Sequence, residues 1–290
     1  MNAANQANAA AAATQETELE LLAAFAAALP ARHVIDVGAG HGLVLDRLRQ
    51  AAPEARFDAF EPLPAHAEAL EARYSAVDNV QVHRIAIDRA DGEAQLHLAR
   101  GNDGERQAYF HSLHRFDDTE STAWDETIAV PARTLGGLVE TEILPARVDI
   151  LKVDTEGHDG AVIEGLGALD CAVIMVEYWT DLPTVIGRCP WRLEDMAASL
   201  RERGFADYVF IKRHDEYETV QINIPDCEPG AWGNVLFVAG RAAGWLMPLA
   251  YRAAVDAQAR LIAQADGYHA ICRERQVVID ELAAALEARR

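Results

Sequence analysis

Short apolar runs and amphipathic stretches alternate along most of this chain. Apolar runs at 33–37, 56–60, 80–87, 148–153, 172–178, 207–212 and 234–239 predict seven strands. Between them, 42–51 and 64–74 carry apolar residues at helical spacing. This alternation predicts an α/β fold, a largely parallel seven-stranded sheet with helices on both faces. The early runs lack polar alternation, which suits strands covered from both sides. Ahead of them, Thr17-Glu18-Leu19-Glu20 has the form of a capping box. Leu19, Leu22, Phe25 and Leu29 follow at helical spacing, and Pro30 ends that helix. Residues 1–13 are rich in Ala and Asn without an apolar stripe and predict an unordered leader.

The rhythm breaks at 91–147. Asp91-Gly92 predicts a turn between a strand at 80–87 and a short one at 94–98. The polar stretch 101–126, with His111, His114 and Trp124, predicts a surface excursion beside a substrate mouth, the plainer reading being a disordered linker. After residue 242 the chain becomes rich in Ala and Arg with few turn signals, predicting a long helix. Leu261, Tyr268, Ile271, Val278, Leu282 and Ala285 fall near a heptad seam that Gln264 and Arg275 interrupt. A coiled coil used for self-association or tethering competes there with a lone helix folded back on the domain. The organisation expected is a leader and helix at 1–30, an α/β domain at 31–242 and a helical extension at 243–290.

Composition narrows the function. The 290 residues carry a net charge of −20, from 46 acidic and 26 basic side chains. Such a surface repels phosphate backbones, so a nucleic-acid partner is not expected. Cys171, Cys189, Cys227 and Cys272 show no metal-binding spacing and read as reduced thiols. No signal peptide or run of 18 apolar residues stands out, so a cytoplasmic location without a transmembrane segment is expected.

The chemistry starts at Val34-Ile35-Asp36-Val37-Gly38-Ala39-Gly40-His41-Gly42, an apolar strand entering three alternating glycines ahead of a helix. Missing Cβ atoms let a nucleotide-like ligand approach the backbone, and the helix N-terminus offers free N–H groups. A dinucleotide fingerprint needs its third glycine one residue later, with Leu43 standing there instead. That counts against an NAD(P)-dependent oxidoreductase and for a nucleoside without a pyrophosphate. The Asp36-x-Gly38-x-Gly40-x-Gly42 pattern resembles the first motif of class I methyltransferases that use S-adenosylmethionine (SAM). Expected cofactor contacts are Asp36, Gly38, Ala39, Gly40 and Gly42. Glu61 and Pro62 end the second strand, where a carboxylate can accept both ribose hydroxyls. Ala86 and Asp88 end the third, beside the base, although Asp88 could equally cap a turn.

The fourth strand ends in Lys152-Val153-Asp154, followed by Thr155-Glu156-Gly157-His158-Asp159. Ligands of open α/β sheets sit beyond such strand ends. Lys152 shares a face with Asp154 and needs a partner if buried; Glu177, ending the fifth strand, is the candidate. The run Leu151–Asp159, with Val162-Ile163-Glu164-Gly165 after it, resembles the signature of the FkbM family of methyltransferases. So do the glycine turn, Phe60-Glu61-Pro62 and, more weakly, Thr134-Leu135 and Asn234–Phe237. The resemblance covers roughly 30–240, and departs where Asp159 stands in place of the family's usual Glu. It implies a Rossmann-like class I methyltransferase fold and O-methylation, often of sugar hydroxyls in glycans or small molecules; carboxylate methylation stays open. For the catalytic set we select Asp154, His158, Glu156, Lys152 and Glu177, with His158 or Asp154 taking the acceptor proton. Asp154 and Glu156 also leave room for a divalent ion such as Mg²⁺, though two or three acids are no metal motif. A non-catalytic scaffold built on the same fold is the remaining alternative.

Overall fold

The structure is a computed structural model that describes residues 16–29, 32–101, 103–213, 217–224 and 229–287. Helix α1 (Glu16–Ala28) precedes strand β1 (His33–Val37), all of whose residues are buried. Then come α2 (Leu43–Ala51), β2 (Arg56–Phe60), α3 (Pro64–Tyr74) and β3 (Val80–His83). An excursion follows, made of β4 (Ala86–Ile87), β5 (Gly92–Gly101) and β6 (Thr122–Arg133). The chain returns through α4 (Leu135–Glu140), β7 (Arg147–Val153), α5 (Asp159–Glu164) and β8 (Asp170–Trp179). A small hairpin, β9 (Asp181–Leu182) with β10 (Gly187–Arg188), leads to α6 (Leu193–Glu202). Last are β11 (Phe205–Arg213), β12 (Glu218–Ile222), β13 (Trp232–Ala239) and α7 (Gly240–Glu287).

The main sheet runs β12-β11-β13-β8-β7-β1-β2-β3. Strands β3, β2, β1, β7 and β8 are parallel, and β13 pairs antiparallel with both β8 and β11. Alternate residues feed opposite faces. Ile35, Val37, Leu151 and Val153 meet Leu138, Val162 and Leu193 of α4, α5 and α6. Val34, Ile150 and Val173 meet Phe25, Leu45, Leu48 and Leu246 of α1, α2 and α7. From β1 the chain winds outward to β3, then crosses back to β7 and winds the other way. The carboxyl ends of β1 and β7 therefore flank a switch point, where such sheets place their ligands.

Several expectations need correction. Among the described residues the sheet has eight strands, not seven: β12 joins its edge by pairing antiparallel with β11. Its alternating Thr219, Val220, Gln221 and Ile222 carried the signal. The run 80–87 is not one strand, nor one arm of a hairpin with 94–98. It divides at Arg84, whose guanidinium bonds Glu71 and Glu68 of α3. Strand β4 then enters a separate sheet, β4-β6-β5, in which β5 pairs antiparallel with β6. Asp91 ties that sheet together, accepting from Thr134 N at 2.7 Å and Arg133 Nε at 3.0 Å. Gly101 and residues 103–126 are no linker; they form strand ends and a loop packed on the cleft. Thr17 lies inside α1 rather than capping it, and its hydroxyl accepts from Arg260 of α7.

Helix α7 has 48 residues, about 70 Å at the usual rise. Its first turns pack through Ala242, Leu246, Ala250 and Ala257. The heptad positions from Tyr268 onward lie outside the residues whose side chains are described. Cys171 and Cys189 are buried free thiols, while Cys227 and the Cys272 side chain lie outside the described set. No helix among the described residues is long and apolar enough to cross a membrane.

Candidate active site and cofactor cleft

A cleft of about 1130 Å³, counting its open mouth, lies at the switch point. One wall is the glycine turn. Gly38, Gly40 and Gly42 all hold positive φ, at 73°, 52° and 80°. Gly38 needs its missing Cβ most: one built there would lie 1.9 Å from the Asp154 carbonyl oxygen. At Gly40 a Cβ would meet no protein atom within 4 Å, because that face opens on the cleft. Gly42 points elsewhere, its Cβ position 2.8 Å from the Tyr74 hydroxyl and 2.9 Å from Leu70 Cδ2. It seats α2 on α3 and does not line the cleft.

Glu61 closes the turn from β2. Its Oε2 accepts from Gly40 N at 2.8 Å and its Oε1 from Leu63 N at 2.9 Å. Burial raises its carboxyl above the ordinary range, against the pull of those two N–H groups. Pro62, Ala86, Ile87 and Leu96 continue the wall as an apolar slot.

Lys152 and Asp36 are a pair, and this overturns the assignment of Glu177 as the lysine's partner. Register sets Asp36 beside Lys152 on adjacent strands. Lys152 Nζ lies 3.0 Å from Asp36 Oδ1 and 3.6 Å from Asp154 Oδ2, and donates to the Gly38 carbonyl at 2.8 Å. Burial would lower this ammonium, but Asp36 and Asp154 outweigh it and hold it above its usual value. Burial raises the Asp36 carboxyl more than Lys152 lowers it. Asp36 does not line the cleft. The pair fixes the turn from beneath.

Oxygens of Asp154, Glu156 and Glu177 lie within 4.8 Å of one another. Asp154 and Glu156 line the cleft, whereas Glu177 sits behind them with its Oε2 buried and unbonded. Burial and Asp154 push the Glu156 carboxyl up to about 8. Burial and Glu156 hold Glu177 well above its ordinary value. Oxygen donors of this kind suit a hard cation, but protons balance such a group equally well. Glu156 also holds a φ of 53°, uncommon for a residue with a Cβ. Asp159, whose role the sequence left open, is fully buried and ties the loop to β8. It accepts from Thr155 Oγ1 at 2.8 Å and from Glu177 N at 3.0 Å. Burial and Asp154 push it up to about 6.

His158 faces the cleft, and its Nε2 meets Asp88 Oδ1 at 2.9 Å. Asp88 lies behind the ring and does not line the cleft itself.

Other wall residues were not named as contacts from the sequence, although the excursion that carries His111 was expected beside the mouth. Tyr109, Phe110, His111 and Leu113 come from the excursion. The His41 and His66 rings lie 4.3 Å apart and are tilted by 51°, with His111 6.0 Å from His66 and Tyr109 6.1 Å from His41. Burial, His41 and His111 bring His66 down to about 4, so the His66 ring is neutral at pH 7. Glu18 reaches the cleft from α1, ion-paired with Arg213 and accepting from Asn234 Nδ2 at 2.7 Å. Its partner Asn234 lies 216 residues away, so no local signal marked it.

A family model described as "Methyltransferase FkbM domain" matches residues 36–206, more than half of the chain. The chain belongs to the FkbM methyltransferase family. The matched span runs from β1 to the start of β11 and holds Gly38, Glu61, Lys152, Asp154, Glu156 and His158. Methyl transfer is thus the reaction class against which this FkbM cleft is read. No curated protein matches the sequence. Among solved structures, an FkbM methyltransferase from Methylobacillus flagellatus KT is 14% identical over 72% of this chain and 44% of its own, with a TM-score of 0.40. An O-methyltransferase family protein from Burkholderia thailandensis is 13% identical over 77% and 55%, with a TM-score of 0.40. A precorrin-6y C5,15-methyltransferase from Geobacter metallireducens GS-15 is 13% identical over 72% and 81%, with a TM-score of 0.36. The chain thus spans about half the length of the first two.

Proposed function

We propose that this FkbM domain binds SAM in the cleft and passes its methyl group to an acceptor oxygen, a sugar or glycan hydroxyl. The observation that carries the reading is Glu61 beside the glycine turn. A carboxylate has about four acceptor positions. Gly40 N and Leu63 N use two of them, leaving capacity for the two hydroxyls of a ribose. The slot of Pro62, Ala86 and Ile87 suits a flat base, and the open face of Gly40 gives the ligand room.

SAM supplies an electrophilic methyl group on a sulfonium. The protein must hold the acceptor oxygen in line and take its proton. His158 is the base in this reading, and Asp154, part-exposed at the mouth, orients the acceptor hydroxyl. Lys152 and Asp36 serve the turn from below, and Glu177 supports the loop without touching the ligand. The domain is taken as 31–242, and the extension at 243–290 as a self-association or tethering arm. The charge of −20 favours a neutral acceptor over nucleic acid. Neither Mg²⁺ nor another cation is assigned a step.

The test is release of S-adenosylhomocysteine with a panel of nucleotide sugars and lipid-linked glycans. Methyl transfer to a hydroxyl is expected, with His158→Ala lowering kcat by about 10²–10⁴ while SAM binds normally. If His158→Ala and Asp154→Asn both turn over at the wild-type rate, the assignment of the base side is wrong.

A further inference from the structure

We propose that Asp88 is a positioning residue: its carboxylate fixes the His158 ring so that Nδ1 is the nitrogen turned to the acceptor. The inference rests on the reading of His158 as the base and adds what aims it. Three features point the same way.

The first is the residue type at the start of α5. His158 occupies the N-cap of that helix, yet its side chain makes no capping bond. Ser, Thr, Asp or Asn would serve the helix better there. The ring is instead spent on Asp88, at 2.9 Å.

The second is how firmly both ends are held. The His158 backbone is fixed by the loop that Asp159 anchors to β8, so only side-chain rotation remains free. Asp88 is pinned in turn, its N–H donating to the Arg133 carbonyl at 2.9 Å and its Oδ1 accepting from Arg89 N at 2.7 Å. At the other end of α5, Gly165 rests on the Asp88 backbone. A Cβ on Gly165 would lie 2.4 Å from the Asp88 carbonyl oxygen. One short helix therefore touches Asp88 at both ends, through the His158 ring and through Gly165.

The third is tautomer logic. A carboxylate accepts, so the bonded Nε2 carries the proton and Nδ1 keeps its lone pair for the cleft. This gives the β4–β6 excursion a task beyond covering the cleft, since β4 delivers Asp88.

The experiment has a spectroscopic arm and a kinetic arm, both on the full chain. In ¹⁵N-edited spectra the wild-type His158 ring should show a slowly exchanging Nε2-bound proton. Asp88→Ala should lose it, and Asp88→Asn, which keeps an acceptor oxygen, should retain it. A ring unchanged in Asp88→Ala overturns the placement, whether or not any acceptor turns over. In the kinetic arm, with an acceptor from the panel above, Asp88→Ala should lower kcat about 10- to 100-fold with SAM affinity unchanged, and Asp88→Asn should recover part of the loss. Added to His158→Ala, it should cost nothing more, because both act through one ring. Additive losses, or a tenfold drop in SAM affinity, assign Asp88 to the fold or to the base pocket and overturn the inference. If His158→Ala is impaired while Asp88→Ala is silent, only this inference falls. If His158→Ala is silent, both readings fall.

Discussion

Gly38→Ala is expected to destabilise the protein by about 2–5 kcal/mol. Two costs add at this position. A left-handed backbone costs a residue with a Cβ about 1–2 kcal/mol, and Gly38 has a φ of 73°. The new methyl would also sit 1.9 Å from the Asp154 carbonyl oxygen. That oxygen belongs to the backbone and cannot rotate aside, so the turn or the end of β7 must move; overpacking of this kind costs about 1–3 kcal/mol or more. Gly40→Ala is the control. Its φ is 52° but no protein atom waits within 4 Å, so only the backbone cost of about 1–2 kcal/mol applies. Its methyl would occupy ligand space, so it should lose SAM affinity while staying folded. Urea unfolding of both variants decides the matter; equal midpoints would contradict the close approach at Gly38.

Lys152→Met is expected to cost about 3–5 kcal/mol at neutral pH, because removing one partner of a buried pair strands the other. Lys152 is 2% exposed and Asp36 is 1% exposed. Neither Asp36 oxygen has a further hydrogen bond among the described residues, so no second donor takes over. The Gly38 carbonyl loses its donor as well. The cost should depend on pH in a definite sense. Burial already raises the Asp36 carboxyl, and loss of Lys152 raises it further. A carboxyl raised in the folded state favours folding below its unfolded value near 4, and that contribution is lost as pH rises through the folded value. The deficit relative to wild type should therefore be smallest near pH 5 and grow toward pH 8. Urea titrations at the two pH values measure it, and a deficit that shrinks with rising pH would contradict the pairing.

What the sequence made legible was local. The strand into the glycine turn, the acid closing β2 and the run Lys152–Asp159 are each contiguous, and each sits in the cleft or directly beneath it. The partner of Lys152 was not legible, because parallel register is not written in either strand alone. Register sets Asp36 beside Lys152, and Lys152 beside Met175, which carries Glu177 two residues past the lysine. Glu18, His66 and Tyr109 come from three separate elements that meet only in the fold. The tie of Asp88 to His158 was hidden for a similar reason. Its neighbours Ala86 and Ile87 pair with β6 rather than extending β3, which brings Asp88 to His158 at the start of α5.

The central claim is that the Gly38–Gly40 turn and Glu61 together grip a sulfonium nucleoside. Calorimetric titration of SAM into the wild-type chain and into Glu61→Gln addresses it most directly. One-to-one binding is expected, weakened by the substitution at least about tenfold, or about 1.4 kcal/mol, with the variant still folded at the titration temperature although the amide keeps only one of the two acceptors for Gly40 N and Leu63 N. Absence of binding heat in the wild type, or equal affinity in the variant, would contradict it.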